Sequence, residues 1–540
     1  MIKENLVAYF EDAILNNWDT MSLRDYDSGN GLTYGELGNN VYNLHKLYRD
    51  CGIKKGDKIV VIGKNSANWG LVYIATVTYG AVIVPLLQDF MPKDIYTLTN
   101  HSDAKLMFAS EFICQKFDYS NFEQLQSIYY LDNFEIAHDF SNKNIAYDNN
   151  PNATSKYNFK LEHIPNPEIA AILYTSGTAG QPKGVMLPHN SLAANVKYAR
   201  PNMPLESGDQ IVSFLPLAHC YGATFEFLYP FSLGCTITFL GKLPSPQVIL
   251  KAFNEIKPKL VLSVPLVVEK IYKSKIKPTI DKPSIKFLLK LPIVKGILHK
   301  KIRDSLYQAF GGNAKEIVIG GAKLNREVET FFRKIGFNFA TGYGMTECGP
   351  LITYDGWRTT KIYSAGKVVD HLEMKINSTQ EDKIGEIFVR GESVMAGYYK
   401  NEEETANAID SENWLHTGDL GLIDEDGYLF IKGRSKSMIL TSSGQNVYPE
   451  EIEAKFYNFL LISEILVVSR NGVITALIYP DQDRIKESHL KPEQVEKILN
   501  HYIKHVNEDL PAYMQVKKLV IREEEFDKTP KKSIKRYLYE

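Results

Sequence analysis

The eleven residues Tyr174-Thr175-Ser176-Gly177-Thr178-Ala179-Gly180-Gln181-Pro182-Lys183-Gly184 set three small hydroxyl side chains, three glycines and a lysine directly after the apolar run Ile169 to Leu173. Glycines let backbone N–H groups approach phosphate oxygens, while hydroxyls and a lysine add donors and positive charge. The stretch is equipped to wrap a polyphosphate and so points to a nucleotide. It differs from the phosphate loop of the common NTPases, in which the lysine is followed by a Ser or Thr that reaches magnesium. Here Gly184 follows Lys183, so a magnesium ligand has to come from elsewhere in the chain.

Such a loop needs a rigid scaffold, and the surrounding pattern supplies one. Lys58 to Ile62 reads as a buried strand, Ala67 to Thr78 as a helix and Ala81 to Val84 as another strand, which is a crossover unit of a parallel sheet. Short apolar runs at Val212 to Leu215, Thr236 to Leu240, Leu260 to Val264 and Glu316 to Ile319, separated by helical stretches, extend the pattern. From Met374 to Ile431 the glycines become dense and the runs shorter, as in a small β-rich subdomain. Beyond Gly433, Ile465 to Arg470 and Val473 to Tyr479 flank Asn471-Gly472 as a hairpin with a tight turn. Val495, Ile498, Leu499, Tyr502, Ile503 and Val506 then share one face of a helix that opens after Pro492. This end of the chain reads as a separate α+β domain.

A chain of 540 residues is too long for one hydrophobic core. The formal charge of −2 argues against a nucleic-acid binder that works by bulk charge. The five cysteines, Cys51, Cys114, Cys220, Cys235 and Cys348, lie far apart without a Cys-x-x-Cys pair, so neither a zinc site nor a disulfide framework is expected. The segment Ile211 to Leu240 is the most apolar, and Pro216, His219, Glu226 and Pro230 interrupt it well short of the roughly 18 residues of a membrane span. A cytoplasmic protein is expected.

The eleven-residue loop resembles the phosphate loop of the adenylate-forming superfamily, which holds the acyl-CoA synthetases, the luciferases and the adenylation domains of peptide synthetases. The family's other motifs follow in order. Gly321-Ala322-Lys323-Leu324 is similar to the segment on one side of the adenine, and Gly342-Tyr343-Gly344-Met345-Thr346-Glu347 to the motif that sets an aromatic ring on the other side and a carboxylate on Mg²⁺. A hard oxygen ligand at Glu347 would supply what the loop lacks. Trp414-Leu415-His416-Thr417-Gly418-Asp419 looks like the ribose motif, with Asp419 accepting from the ribose hydroxyls and Arg434 reinforcing it. Pro216-Leu217-Ala218-His219-Cys220-Tyr221-Gly222 resembles the lining of the carboxylate end of an acyl site, where the resemblance implies that His219 would gate and orient rather than transfer protons.

The resemblance implies an α/β fold: a large N-terminal region of doubly wound, mostly parallel sheets with a small β-rich subdomain, and a smaller mobile α+β C-terminal domain. The boundaries expected are 1–432 for the large domain with the subdomain at about 366–432, 433–436 for the hinge, and 437–540 for the C-terminal domain. ATP, Mg²⁺ and coenzyme A are the implied cofactors. Thr175, Ser176, Gly177, Thr178 and Lys183 would hold the phosphates, and Gly321, Ala322, Tyr343, Gly344 and Thr346 the base. Lys436 falls at the hinge, and Gly444, within Ser442-Ser443-Gly444-Gln445-Asn446, would line the pantetheine tunnel. Val264 to Ile271 and the helical stretch that follows, up to Phe310, resemble the long-chain fatty acyl-CoA synthetases. That stretch interleaves Lys273, Lys275, Lys277, Lys282, Lys286, Lys290, Lys295, Lys300, Lys301 and Arg303 with apolar residues, as a surface resting on an anionic membrane does, so peripheral contact at the inner face of a membrane is a second expectation. The acceptor is left open between coenzyme A and an acyl carrier protein, and a non-catalytic nucleotide or acyl-adenylate binder is the alternative of another class. One departure favours that alternative: the signature's adenylation lysine falls at Ser533 in Thr529-Pro530-Lys531-Lys532-Ser533-Ile534-Lys535-Arg536. A one-residue shift would let Lys532 reach inward, and Lys532 is taken as the functional lysine.

Overall fold

Lys58–Ile62, Val82–Leu86 and Ala104–Ala109 are short apolar runs with side chains buried on both faces, the pattern of parallel strands covered on two sides. In the computed structural model, which describes residues 2–175, 182–241, 246–288, 291–378, 383–440, 445–456, 459–528 and 534–539, these strands pair in parallel, with Val60 opposite both Val84 and Met107. The helix Ala67–Tyr79 makes the crossover. Ser66 Oγ accepts from Trp69 N at 3.2 Å to start it, and Gly80 ends it in the left-handed region at φ 82°. The eight-stranded sheet runs Gly397–Tyr398, Lys183–Pro188, Ile169–Thr175, Val82–Leu86, Lys58–Ile62, Ala104–Ala109, Ser127–Tyr130, Ile136–Asp139. Its centre is parallel and its margins antiparallel.

A second sheet joins Gln210–Ser213 and Thr236–Phe239 to Met21–Asp25 and Gly31–Thr33, and a third pairs Leu260–Ser263, Glu316–Ile319 and Phe339–Thr341 in parallel. Between the first two strands of the third sheet the chain passes through the helices Pro265–Ile271, Lys277–Ile280, Pro283–Leu288 and Pro292–Ala309 and the π-helical turn Tyr272–Ile276. This is the helical stretch expected up to Phe310. Leu266, Phe287, Leu291 and Ile297 stand exposed on it. All five cysteines are buried and free, and burial pushes the thiols of Cys114 and Cys235 up to about 12. Among the described residues, no helix is long and apolar enough to cross a membrane.

By packing, the chain divides into two compact units: Met1–Leu324, Phe331–Glu373 and Val389–Leu415 form the first, and Asn325–Thr330, Met374–Phe388 and His416–Glu540 the second. The junction expected at 433–436 lies within the second of these units. The glycine-dense segment is shared between the units, because Leu415–Ile423 pairs with Leu429–Arg434, which leads straight into the C-terminal segment. In the second unit, Ile462–Arg470 and Val473–Pro480 form the expected hairpin, closed by Asn471 at φ 53° and Gly472 at φ 74°. The helix Pro492–Glu508 lays Val495, Leu499, Ile503 and Val506 against Ile465, Val467, Ala476 and Ile478.

Candidate active site

Thr175 ends one strand and Lys183 begins the next, and the two are register partners at the base of the phosphate turn. Lys183 is therefore a strand residue rather than part of the loop itself, so its backbone is fixed by the ladder. Ser176, Gly177 and Thr178 lie outside the described residues. The Lys183 ammonium pairs with the carboxylate of Glu404 and lies over the ring of Tyr398, 4.9 Å from its centroid. Glu404 stands in the first turn of the helix Glu402–Ala408, where Asn401 Oδ1 accepts from its backbone N at 3.0 Å.

Glu347 sits in a 3-10 turn, Thr346–Cys348, that follows the extended pair Tyr343–Gly344. A Cβ on Gly344 would fall 2.1 Å from Pro350 O, so glycine alone fits there. The carboxylate of Glu347 is buried and accepts from the Tyr398 hydroxyl at 3.0 Å. Met395 N donates to Glu347 O at 2.8 Å, and the side chain of Asn195 donates to Cys348 O and accepts from Leu351 N. The turn is held from both sides. Burial, and after it the Glu347 charge, push the Tyr398 phenol far above its usual range, so it stays a donor. Among the described residues no cluster of three or more His, Cys, Asp or Glu could hold a metal. One hard, fixed carboxylate is nonetheless what Mg²⁺ takes when substrate phosphates supply the remaining oxygens, so Glu347 fits that ion.

His219 is half-buried before the short helix Cys220–Gly222, which continues as the π-helix Ala223–Leu228. Thr224 Oγ1 donates to Gly349 O at 3.1 Å, tying this segment to the loop after Glu347. Tyr221 donates to Val318 O at 3.1 Å, and its ring would meet a Cβ on Gly320 at 3.1 Å. The segment expected to line an acyl site thereby interlocks with the strand Glu316–Ile319, after which Gly321, at φ 83°, and Ala322 stand exposed. Sequence reasoning gave Glu226 no role of its own, reading it as an interruption of an apolar run. Glu226 is fully buried, and its Oε2 accepts from Phe214 N and Leu215 N, both at 2.9 Å, and from Ser213 Oγ at 3.1 Å. Burial raises its carboxyl well above the usual range while its three donors oppose the rise, and through those donors it braces the backbone leading to His219.

In the second unit, Asp419 is buried and meets Arg434 Nε at 2.9 Å, directly across the ladder. Gly418, at φ 70°, donates its N–H to Glu386 Oε1 at 2.9 Å. Thr417 Oγ1 donates to Ile387 O at 2.8 Å and accepts from Asp419 N at 3.1 Å. The Thr-Gly-Asp turn is thus fastened to the strand Gly385–Gly391, a role for Glu386 that no local spacing announced. Lys436 is exposed in the 3-10 turn Ser435–Ser437. Gly444, Lys532 and Ser533 lie outside the described residues. Downstream, Ile534 bridges Lys528, Lys535 N donates to Asp527 O at 2.8 Å, and Arg536 is clamped on Glu453 and Val467 O. Lys183 and Glu347 are brought together through Tyr398, and Asp419 with Arg434, the two groups belonging to different compact units.

The profile of the AMP-binding enzyme family matches residues 10–399, and that of the AMP-binding enzyme C-terminal domain matches residues 436–540, beginning at Lys436. A long-chain fatty-acid CoA ligase of Mycobacterium bovis is 29% identical over 487 residues, covering 84% of this chain and 78% of its own length. The o-succinylbenzoate CoA synthetase of Bacillus subtilis in complex with its acyl-adenylate intermediate has the same fold, with a TM-score of 0.78 at 20% identity over 100% of this chain and 99% of that one. The same synthetase with ATP and magnesium ion gives 0.76 at 20% identity, covering 98% of each chain. With both of its parts matched, the chain belongs to the AMP-binding, adenylate-forming enzymes.

Proposed function

We propose that this adenylate-forming acyl-CoA ligase acts on a fatty acid. The carboxylate attacks the α-phosphorus of ATP, giving acyl-adenylate and pyrophosphate, and the thiol of coenzyme A then attacks the acyl carbon and expels AMP. The observation that carries the fatty-acid reading is the helical segment 265–309, whose exposed Leu266, Phe287, Leu291 and Ile297 stand among lysines. The Mycobacterium bovis relative, a long-chain fatty-acid CoA ligase, supports the same reading. The same surface supports peripheral contact with an anionic bilayer, where fatty acids partition.

In this reading Thr175, Ser176, Gly177, Thr178 and Lys183 bind the phosphates, and the triphosphate replaces one anionic partner of Lys183, Glu404, with another. Glu347 holds Mg²⁺, which when bound neutralises charge on the phosphate oxygens. Gly321, Ala322, Tyr343, Gly344 and Thr346 enclose the base, while Asp419 and Arg434 take the ribose. His219 orients the acyl carboxylate, and Lys532 stabilises the charge between carboxylate and α-phosphate. Lys436 is the hinge between the half-reactions, and Gly444 lines the pantetheine path. The test is pyrophosphate release across carboxylic acids from acetate to palmitate, with coenzyme A or an acyl carrier protein as acceptor. Preference for medium to long chains, thioester formed on coenzyme A and salt-sensitive binding to anionic vesicles are expected. Equal turnover of acetate and palmitate refutes the chain-length reading, and thioester on the carrier protein alone moves the acceptor. A non-catalytic role is favoured by Ser533 at the signature position, and absence of pyrophosphate release with every acid would make it the better reading.

A further inference from the structure

Tyr398 meets both groups expected to handle the triphosphate. Its hydroxyl donates to Glu347 Oε1 at 3.0 Å, and its ring face carries the Lys183 ammonium 4.9 Å from the centroid. All three residues belong to one compact unit. The backbone fixes the ring in place. Tyr398 lies opposite Val185, in the strand that Lys183 opens, and its N–H donates at 2.9 Å to Thr405 Oγ1, in the helix that bears Glu404. Three residues upstream, Met395 N donates to Glu347 O. One short edge strand is thus pinned to the lysine's strand, to the lysine's counter-ion helix and to the carboxylate's turn.

The hydroxyl has a consequence that packing alone would not have. The terminal torsion of a glutamate is broad, so its two oxygens are not oriented by rotamer preference. A donor fixed on Oε1 settles that torsion and leaves Oε2 to be presented elsewhere. Partners of this kind behind a metal-binding carboxylate are commonly worth about 10–100-fold in metal affinity. The ring does a second job, since its face attracts the Lys183 ammonium beside the Glu404 carboxylate without itself carrying a formal charge.

We propose that Tyr398 is a positioning residue that couples the magnesium carboxylate to the phosphate lysine, its hydroxyl orienting Glu347 and its ring seating Lys183, so that metal and triphosphate are gripped together. The proposal rests on the reading of Glu347 as the metal ligand and of Lys183 as a phosphate ligand. The experiment uses the full chain with Mn²⁺ as the metal probe and a non-hydrolysable ATP analogue. Mn²⁺ affinity in the presence of the analogue is read by electron paramagnetic resonance, and affinity for the analogue alone in EDTA by calorimetry. Tyr398→Phe keeps the ring and should lower Mn²⁺ affinity about 10-fold or more while leaving metal-free analogue binding unchanged. Tyr398→Leu should weaken metal-free binding as well, and Tyr398→Met takes its place if the leucine variant lacks a cooperative melt. Wild-type Mn²⁺ affinity in Tyr398→Phe, alongside a loss in Glu347→Gln, overturns the coupling and leaves the proposed function standing. If Glu347→Gln also binds Mn²⁺ normally, Glu347 is not the ligand, and the proposal falls with that assignment. Equal metal-free binding in the phenylalanine and leucine variants overturns the role of the ring.

Discussion

Replacing Arg536 by alanine should release the tail that follows residues 529–533 and should separate the two half-reactions. Arg536 Nη2 donates to both oxygens of Glu453, at 2.8 and 2.9 Å, and Nη1 donates to Val467 O at 2.8 Å. Glu453 is buried and also accepts from Val467 N at 2.7 Å. Removing one partner of a buried, hydrogen-bonded ion pair costs about 3–5 kcal/mol. Arg536 keeps 18% of its side chain in solvent, which places the cost at the lower end, about 3 kcal/mol or a factor of roughly 10². Adenylation, measured as pyrophosphate release, should fall by about that factor, because the segment bearing Lys532 loses its downstream anchor. Thioester formation from supplied acyl-adenylate should change far less. The pH dependence carries a sign. The Glu453 carboxyl is raised, chiefly by burial, while Arg536 opposes the rise, so without Arg536 it rises further. A raised carboxyl favours the folded state at acid pH, and that advantage is lost as pH climbs through its raised value. The stability deficit of the variant, read from urea unfolding, should therefore be smaller near pH 5 than near pH 8, and Glu453→Gln in the same chain should recover part of it. Equal loss of both half-reactions, or a deficit indifferent to pH, would refute the reasoning.

Asp419→Ala should weaken ATP binding about 10-fold or more, since each hydrogen bond to a charged group contributes about 1.5–3 kcal/mol, and calorimetric affinity equal to wild type would remove Asp419 from the ribose site. Lys532→Ala should depress adenylation far more than Lys531→Ala or Lys535→Ala does, each compared by pyrophosphate release, and uniform behaviour of the three would dismiss the assignment. Lys436→Pro should spare one half-reaction and harm the other, as a hinge residue that absorbs a backbone rotation would when locked, whereas parallel loss of both would point to misfolding.

The parallel unit at 58–86 was legible because its strands are continuous apolar runs and the stretch between them has helical length, and the structure adds Ser66 as the helix cap and Gly80 as its stop. The Asn471-Gly472 hairpin and the buried face of the helix Pro492–Glu508 were legible for the same reason. Lys183 was placed in the loop because composition marks a turn but not how far the flanking ladder climbs toward it. Glu226 carried no sign of its three donors, two of which are backbone groups of a neighbouring strand end. Tyr398 and Glu404 could not be found from spacing, since their partners lie 51 and 221 residues away in the chain. The division of the glycine-dense segment between two compact units likewise depends on strand pairing that no single run of residues encodes.

The burial of the cysteines has a bearing on self-inflicted chemistry. An acyl-adenylate acylates any thiolate it meets, and two of the five thiols belong to segments assigned to the reaction: Cys220 directly after His219 and Cys348 directly after Glu347. Cys348 is wholly buried, and burial, reinforced by the neighbouring Glu347, raises its thiol well above the usual range, which disfavours the thiolate that an acyl-adenylate at the proposed site would meet. Cys220 is buried against Thr224. In the proposed reaction, burial would keep the protein's own sulfur out of the competition, leaving the activated acyl group to partition between an incoming thiol and water.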